Sequence, residues 1–188
     1  SLASEEREKL IIKALYDDLR HRRLLSPSES LNALTVGAIH QDKAEDTYWG
    51  NRIDPFSKSL PSPVSAFGSG FRRSIKPDVL LPGGRVLLEE DLRASSESGM
   101  ACLKIGNTNL RPPGLKVACP SVTPGELDKV AHSRGTSCAT ALMTRTAAIC
   151  YDTLRRIFQD QPNSEELIAY EGVVLKAMVM HSCEWGDL

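Results

Sequence analysis

The sequence predicts an α/β fold, on three observations. Apolar residues recur at helical spacing near both ends of the 188-residue chain, over 4–20 and 163–179. Short apolar runs with β-branched residues, bounded by Pro and Gly, lie between them and read as strands. Residues 137–151 are small or apolar nearly all round, the pattern of a helix buried inside a fold. Helices interleaved with short buried strands are the pattern of α/β layers.

The elements follow in order. Residues 4–20 form an amphipathic helix with Leu10, Ile11, Ala14, Leu15 and Leu19 on one face. Ser4 suits its N-cap and Glu5 and Glu6 its positive N-terminus. His21, Arg22 and Arg23 follow as a solvated cationic end. Ser26-Pro27-Ser28-Glu29 reads as the start of a second, short helix with a capping box, so 1–32 is a helical N-terminal segment. Residues 33–39 are a buried strand. From His40 to Pro63 the chain is irregular, with Tyr48 and Trp49 pinning the loop to a local core. Val79–Leu81 is a very short strand between two prolines. Residues 85–88, 101–105 and 114–119 are further short strands, and the acidic, Ser-rich stretch 89–99 between the first two is expected to be disordered. Residues 120–125 form a turn. The helix beginning at Ser137 turns amphipathic at Leu154, Ile157 and Phe158 and ends on Arg155 and Arg156. Asn163 caps one last helix, with Leu167, Ile168, Val174, Leu175, Met178 and Val179 on its apolar face.

Composition narrows the function. Hydrophobic residues make up 41% and charged residues 25%, ordinary values for a globular domain, so wholesale disorder is excluded. Lys and Arg total 23 against 24 Asp and Glu, for a net charge of -1, which argues against a nucleic-acid partner. With no apolar run long enough to span a bilayer, no membrane partner is expected. Five cysteines without C-x-x-C spacing read as reduced thiols, which points to a reducing, cytoplasmic setting rather than a disulfide frame. Phosphate-binding, hydrolase-elbow and zinc motifs are absent, so neither a cofactor nor a metal is expected.

One segment carries chemistry. In Gly135-Thr136-Ser137-Cys138-Ala139-Thr140 a serine follows a glycine at the start of a helix. A helix N-terminus offers unpaired N–H groups and partial positive charge, which would stabilise an oxyanion forming beside the Ser137 hydroxyl. An isolated tripeptide of this kind is ordinarily just an N-cap. Cys138 beside it reads as a packed thiol rather than a nucleophile.

Three pieces together raise the tripeptide above that reading. Gly-Thr-Ser-x-Ala-Thr before an apolar helix resembles the nucleophile motif of the subtilisin-like serine peptidases, the subtilases. Leu34-Thr35-Val36-Gly37-Ala38 resembles the family's "VGA" strand. Ser65-x-Phe67-Gly68, then Lys76-Pro77-Asp78-Val79 and Pro82-Gly83, resembles its "S-x-F-G … K-P-D-V-x-x-P-G" stretch. The three occur in the family's order over residues 33–150.

The resemblance implies a three-layer, mainly parallel sheet with helices on both faces. It also implies a serine endopeptidase that takes a peptide or protein substrate. Ser137 would be the catalytic nucleophile and its backbone N–H one oxyanion donor. Lys76, Pro77 and Asp78 would be structural. The family's Asp, His and oxyanion-Asn motifs are absent, and His21, His40, His132 and His181 lie in none of its contexts. His132 reads as a surface residue on the approach to Ser137. All three missing pieces belong before residue 33 in the family, so the chain is expected to be the C-terminal part of a subtilase catalytic domain. Its partner would be the missing N-terminal half, and without that half the chain should self-associate, for example as a homodimer. Ala141 and Arg145 stand where the family has Pro and Gly, and Arg145 on a buried helix needs a partner or an exit to water. The long stretch from Gly83 to Gly135 makes 85–130 an insertion, suited to a substrate-side flap. A non-catalytic module with the same fold, binding or scaffolding a partner, is the alternative reading.

Overall fold

A parallel pair of strands supports the serine motif. The computed structural model describes residues 4–45, 50–106, 111–159 and 161–184. In chain order its elements are α1 (Ser4–Asp17), β1 (Val36–Ile39), β2 (Arg52–Ile53), β3 (Gly68–Ser69), β4 (Ile75–Lys76), β5 (Val79–Pro82), β6 (Leu88–Glu90), α2 (Leu92–Ser98), β7 (Leu103–Ile105), β8 (Leu115–Ala118), β9 (Val130–Ser133), α3 (Thr136–Gln159), α4 (Ser164–Ala169) and α5 (Glu171–His181). The fold is α/β. Tyr48 and Trp49 lie outside the described residues.

β1 and β5 run parallel, with Val36 opposite Val79 and Ile39 opposite Pro82. Among the described residues this is the one parallel pairing. Antiparallel pairs join β2 to β6, β3 to β4, β6 to β7 and β8 to β9. A parallel pair needs cover on its faces, because its residues are apolar on both sides. Helix α3 packs on both β1 and β5, and α5 packs on α3. Val79, Met143 and Val179 form the buried centre of this layer, with Leu34, Val36 and Leu81 around it. A second cluster joins Ile11 of α1 to Phe56 and Leu88, with Leu15 and Leu60 packed against it.

Several sequence expectations are corrected here. Helix α1 stops at Asp17, and 26–29 forms a turn rather than a second helix. Tertiary bonds hold that turn open: the Ser28 carbonyl accepts from Thr35 Oγ1 at 2.6 Å, and the Glu29 carbonyl from the Phe71 N–H at 2.9 Å. Arg22 is a tether rather than a solvated cation, since its guanidinium donates to the carbonyls of Pro63 and Ser65. The stretch expected to be disordered contains α2. Asp91 caps it by accepting from the Ala94 N–H, and Gly99 closes it at φ 69°. Helix α3 is not buried all round: Ala139, Met143, Leu154 and Phe158 form one buried seam, while Leu142, Ile149 and Ile157 are exposed. Arg145 lies on the exposed side and so exits to water. The last helix is two, α4 and α5, parted at Tyr170. Arg155 Nε, on α3, stands 3.1 Å from Glu171 Oε2 at the start of α5. Strand β9 was not expected at all.

Candidate active site

Ser137 sits in the first turn of α3, exposed, and its hydroxyl makes no hydrogen bond among the described residues. Two glycines set its position. Gly83 follows β5, and its carbonyl accepts from the Gly135 N–H at 2.7 Å. A Cβ on Gly83 would fall 2.4 Å from Ala38 Cβ and 2.9 Å from the Gly135 carbonyl oxygen, so only glycine allows β1, β5 and the serine turn to close together. Gly135 has φ 126°, a conformation closed to ordinary side chains, and it turns β9 into α3. The result is Ser137 beside the carboxyl ends of the parallel pair, where α/β sheets hold their ligands.

The local chemistry follows from the helix end. The first backbone N–H groups of an α-helix have no intrahelical acceptor, and the helix dipole adds partial positive charge there. The Ser137 N–H belongs to that turn. The Thr140 hydroxyl turns back to donate to the Thr136 carbonyl at 2.9 Å. The Cys138 thiol donates to Ser133 Oγ at 3.2 Å, which ties the first turn to the end of β9.

The other motif residues are structural. Ser65 is buried and braces β1: its Oγ accepts from the Ala38 N–H at 2.9 Å and donates to the Ala38 carbonyl at 3.0 Å. Lys76 is buried with its ammonium 2.6 Å from Asp78 Oδ2. The same Asp78 oxygen accepts from the Thr35 N–H at 2.7 Å, which fastens the start of β1 to the start of β5.

No histidine is hydrogen-bonded to Ser137 among the described residues. His40 is buried; the Val86 N–H donates to its Nδ1 at 3.2 Å, so Nε2 carries the proton and donates to Asp54 Oδ1 at 2.7 Å. Both ring nitrogens are engaged. Arg85 extends the cluster, with Nη1 3.4 Å from Asp54 Oδ2 and Nε 3.1 Å from Asp42 Oδ1. Sequence reasoning missed this cluster, because its members are far apart in the chain and fit no motif. A cavity of about 590 Å³ opens beside it, lined by Arg7, Glu8, His40, Asp42, Asp54 and Arg85 among others; Ser137 is not part of its wall. Its carboxylates are bonded within the protein: Glu8 to Ser57, Asp42 to Ala44 and Arg85, and Asp54 to His40 and the Phe56 N–H. His132 is buried, not on the surface as its sequence position suggested: it lies on β9, opposite Lys116 of β8, with the Gly114 backbone packed close against it; its Nδ1 has no hydrogen-bond partner among the described residues. His21 is exposed and bonded to Asp18, and His181 is exposed at the end of α5.

Among the described residues no group of three or more His, Cys, Asp or Glu is arranged to hold a metal ion. No helix there is long and apolar enough to cross a membrane. All five cysteines are free.

The chain is similar to known proteins in the following ways. The model of the subtilase family matches residues 13–184. The uncharacterized protein y4bN of Sinorhizobium fredii is 33% identical over 72 residues, a match that takes in 37% of this chain and 17% of that protein. No solved structure matches.

Proposed function

The chain belongs to the subtilase family, and from that premise we propose that it carries the nucleophile of a serine endopeptidase of the subtilisin type. Ser137 Oγ attacks the carbonyl of a peptide or protein substrate. A His and an Asp outside these residues act as general base and as its orienting partner. The Ser137 N–H, at the positive end of α3, takes the developing oxyanion. This chemistry uses neither a cofactor nor a metal. The observation that carries the reading is the exposed Ser137 hydroxyl, unbonded among the described residues, on a helix N-terminus locked by the bond from Gly135 to Gly83.

The β1–β5 pair then belongs to a wider, three-layer parallel sheet. The exposed flank of α3, with Leu142, Ile149 and Ile157, is where the rest of the catalytic domain packs, and without that cover the chain self-associates. The segment 85–130 is an insertion on the substrate side, ending beside the serine turn. Free thiols agree with a cytoplasmic setting.

The alternative reading is a non-catalytic module of the same fold that binds or scaffolds a partner. Peptide hydrolysis separates the two. The full-length protein is expected to cleave unstructured peptides, with loss to background in Ser137→Ala and in the 188-residue chain alone. A full-length protein that cleaves nothing supports the module, and a Ser137→Ala variant with parent activity removes Ser137 from the mechanism.

A further inference from the structure

The serine turn is held from two directions, and the second lies outside the family's motif. From the sheet side, Gly135 bonds to Gly83 at the end of β5. From the other side, Arg134 lies between β9 and Gly135, half-buried, and its Nη2 donates to the Gly106 carbonyl at 2.8 Å. Gly106 follows β7 and is itself fixed, since its N–H donates to the Leu87 carbonyl at 2.9 Å. Across the same sheet, Arg52 Nε bonds to Glu89 Oε1 at 2.8 Å. Burial lowers the Arg134 pKa below its ordinary value; the nearby Arg52 charge acts in the same sense and Glu89 opposes it. A guanidinium kept in such a place, next to another cation, has a specific acceptor to reach. The carbonyl of Gly106 is one such acceptor, and it directly follows β7 of the inserted three-stranded sheet β2–β6–β7.

We infer that Arg134 is a positioning residue for Ser137: it ties the inserted sheet to the serine turn and so sets where the nucleophile stands. The inference rests on the reading of Ser137 as nucleophile. Gly135, bonded to Gly83 on the sheet side, joins Arg134 to Ser137, so fixing Arg134 from the other side limits how far the turn and its hydroxyl can shift. Rate is sensitive to such placement, about 100-fold for a misplacement of about 1 Å. Substrate affinity is not expected to change, because the Arg134 guanidinium is bonded within the protein.

The test compares full-length parent protein, Arg134→Ala, Arg134→Lys and, as a surface control on α2, Arg93→Ala. Active sites are titrated with a fluorophosphonate, kcat and KM are measured per titrated site, and hydrogen exchange is followed in peptides spanning 135–138. Arg134→Ala is expected to lower kcat per titrated site by about tenfold or more, leave KM within about twofold, and speed exchange over 135–138 but not in β1 or β5. Arg134→Lys keeps one donor for Gly106 and is expected to recover most of the kcat. Arg93→Ala should match the parent. A purely structural role would lower the number of titratable sites and leave kcat per site unchanged, which overturns the inference; so does unchanged exchange over 135–138. A parent protein that neither labels nor hydrolyses overturns the nucleophile reading itself, whereas an active parent with an equally active Arg134→Ala overturns the positioning role alone.

Discussion

Replacing Lys76 with Met tests the joint that fastens the starts of β1 and β5, the strand pair whose far ends carry the serine turn. Lys76 is 1% exposed at its side chain and Asp78 13%, with their charged atoms 2.6 Å apart. Removing one partner of a buried pair leaves an uncompensated charge, at a cost of about 3–5 kcal/mol. Asp78 would keep its bond from the Thr35 N–H and its small exposure, so the lower end, about 3 kcal/mol, is expected. That is a large share of the ~5–15 kcal/mol that ordinarily stabilises a domain. Lys76→Met/Asp78→Asn removes both charges while an amide oxygen still accepts from Thr35, so the double variant should recover to within about 1 kcal/mol of the parent. Urea unfolding followed by circular dichroism reads both. At a slope of about 1–3 kcal/mol per molar, the single variant's midpoint should fall by about 1–3 M. A single variant as stable as the parent, or a double variant weaker than the single, would refute the argument from buried charge.

Other expectations follow from the same contacts. The Ser57 hydroxyl and N–H hold the Glu8 carboxyl below its ordinary pKa, with a smaller push from Lys58. A lowered folded-state pKa gives stability that is present above the unfolded value, about 4.3, and is lost as pH falls through the folded one. The parent should therefore exceed Ser57→Ala in stability at pH 7 by a small margin that shrinks on acidification; a margin independent of pH would contradict this. Asp91→Ala should fray α2, seen as faster hydrogen exchange and earlier proteolytic nicking within 92–98, while unchanged protection there would remove the cap from the account. Under denaturing, non-reducing conditions a thiol titration should find all five cysteines, and a smaller number would mean a disulfide.

Much of the frame around Ser137 was legible in the sequence because its signals are local. The run 33–39 and the Pro-bounded 79–81 are apolar and short, and they became β1 and β5. The helical spacing that predicts α1 puts Ile11 in the core. The serine motif is contiguous, and Gly135 and Gly83 each had a steric reason to be glycine. What escaped depends on distance along the chain or on burial too slight to leave a pattern. Helix α2 buries no residue, so hydrophobic spacing could not reveal it; its signals were Asp91 before it and Gly99 after it. Strand β9 is four residues long, and a loop separates it from β8, its only strand partner among the described residues. The cluster of His40, Asp54, Arg85 and Asp42 joins residues that no spacing rule relates. Helix α3 misled because small residues such as Ala141 and Ala148 read as core, yet they lie on an exposed flank.

The nucleophile claim is met most directly by locating a covalent adduct. The full-length protein is treated with a fluorophosphonate, digested, and its modified peptides are sequenced by mass spectrometry. A single adduct on the Ser137 oxygen, absent after prior heat unfolding and absent in Ser137→Ala, is the predicted result. An adduct on another residue, or equal labelling of Ser137→Ala, would contradict the assignment of Ser137 as the attacking group.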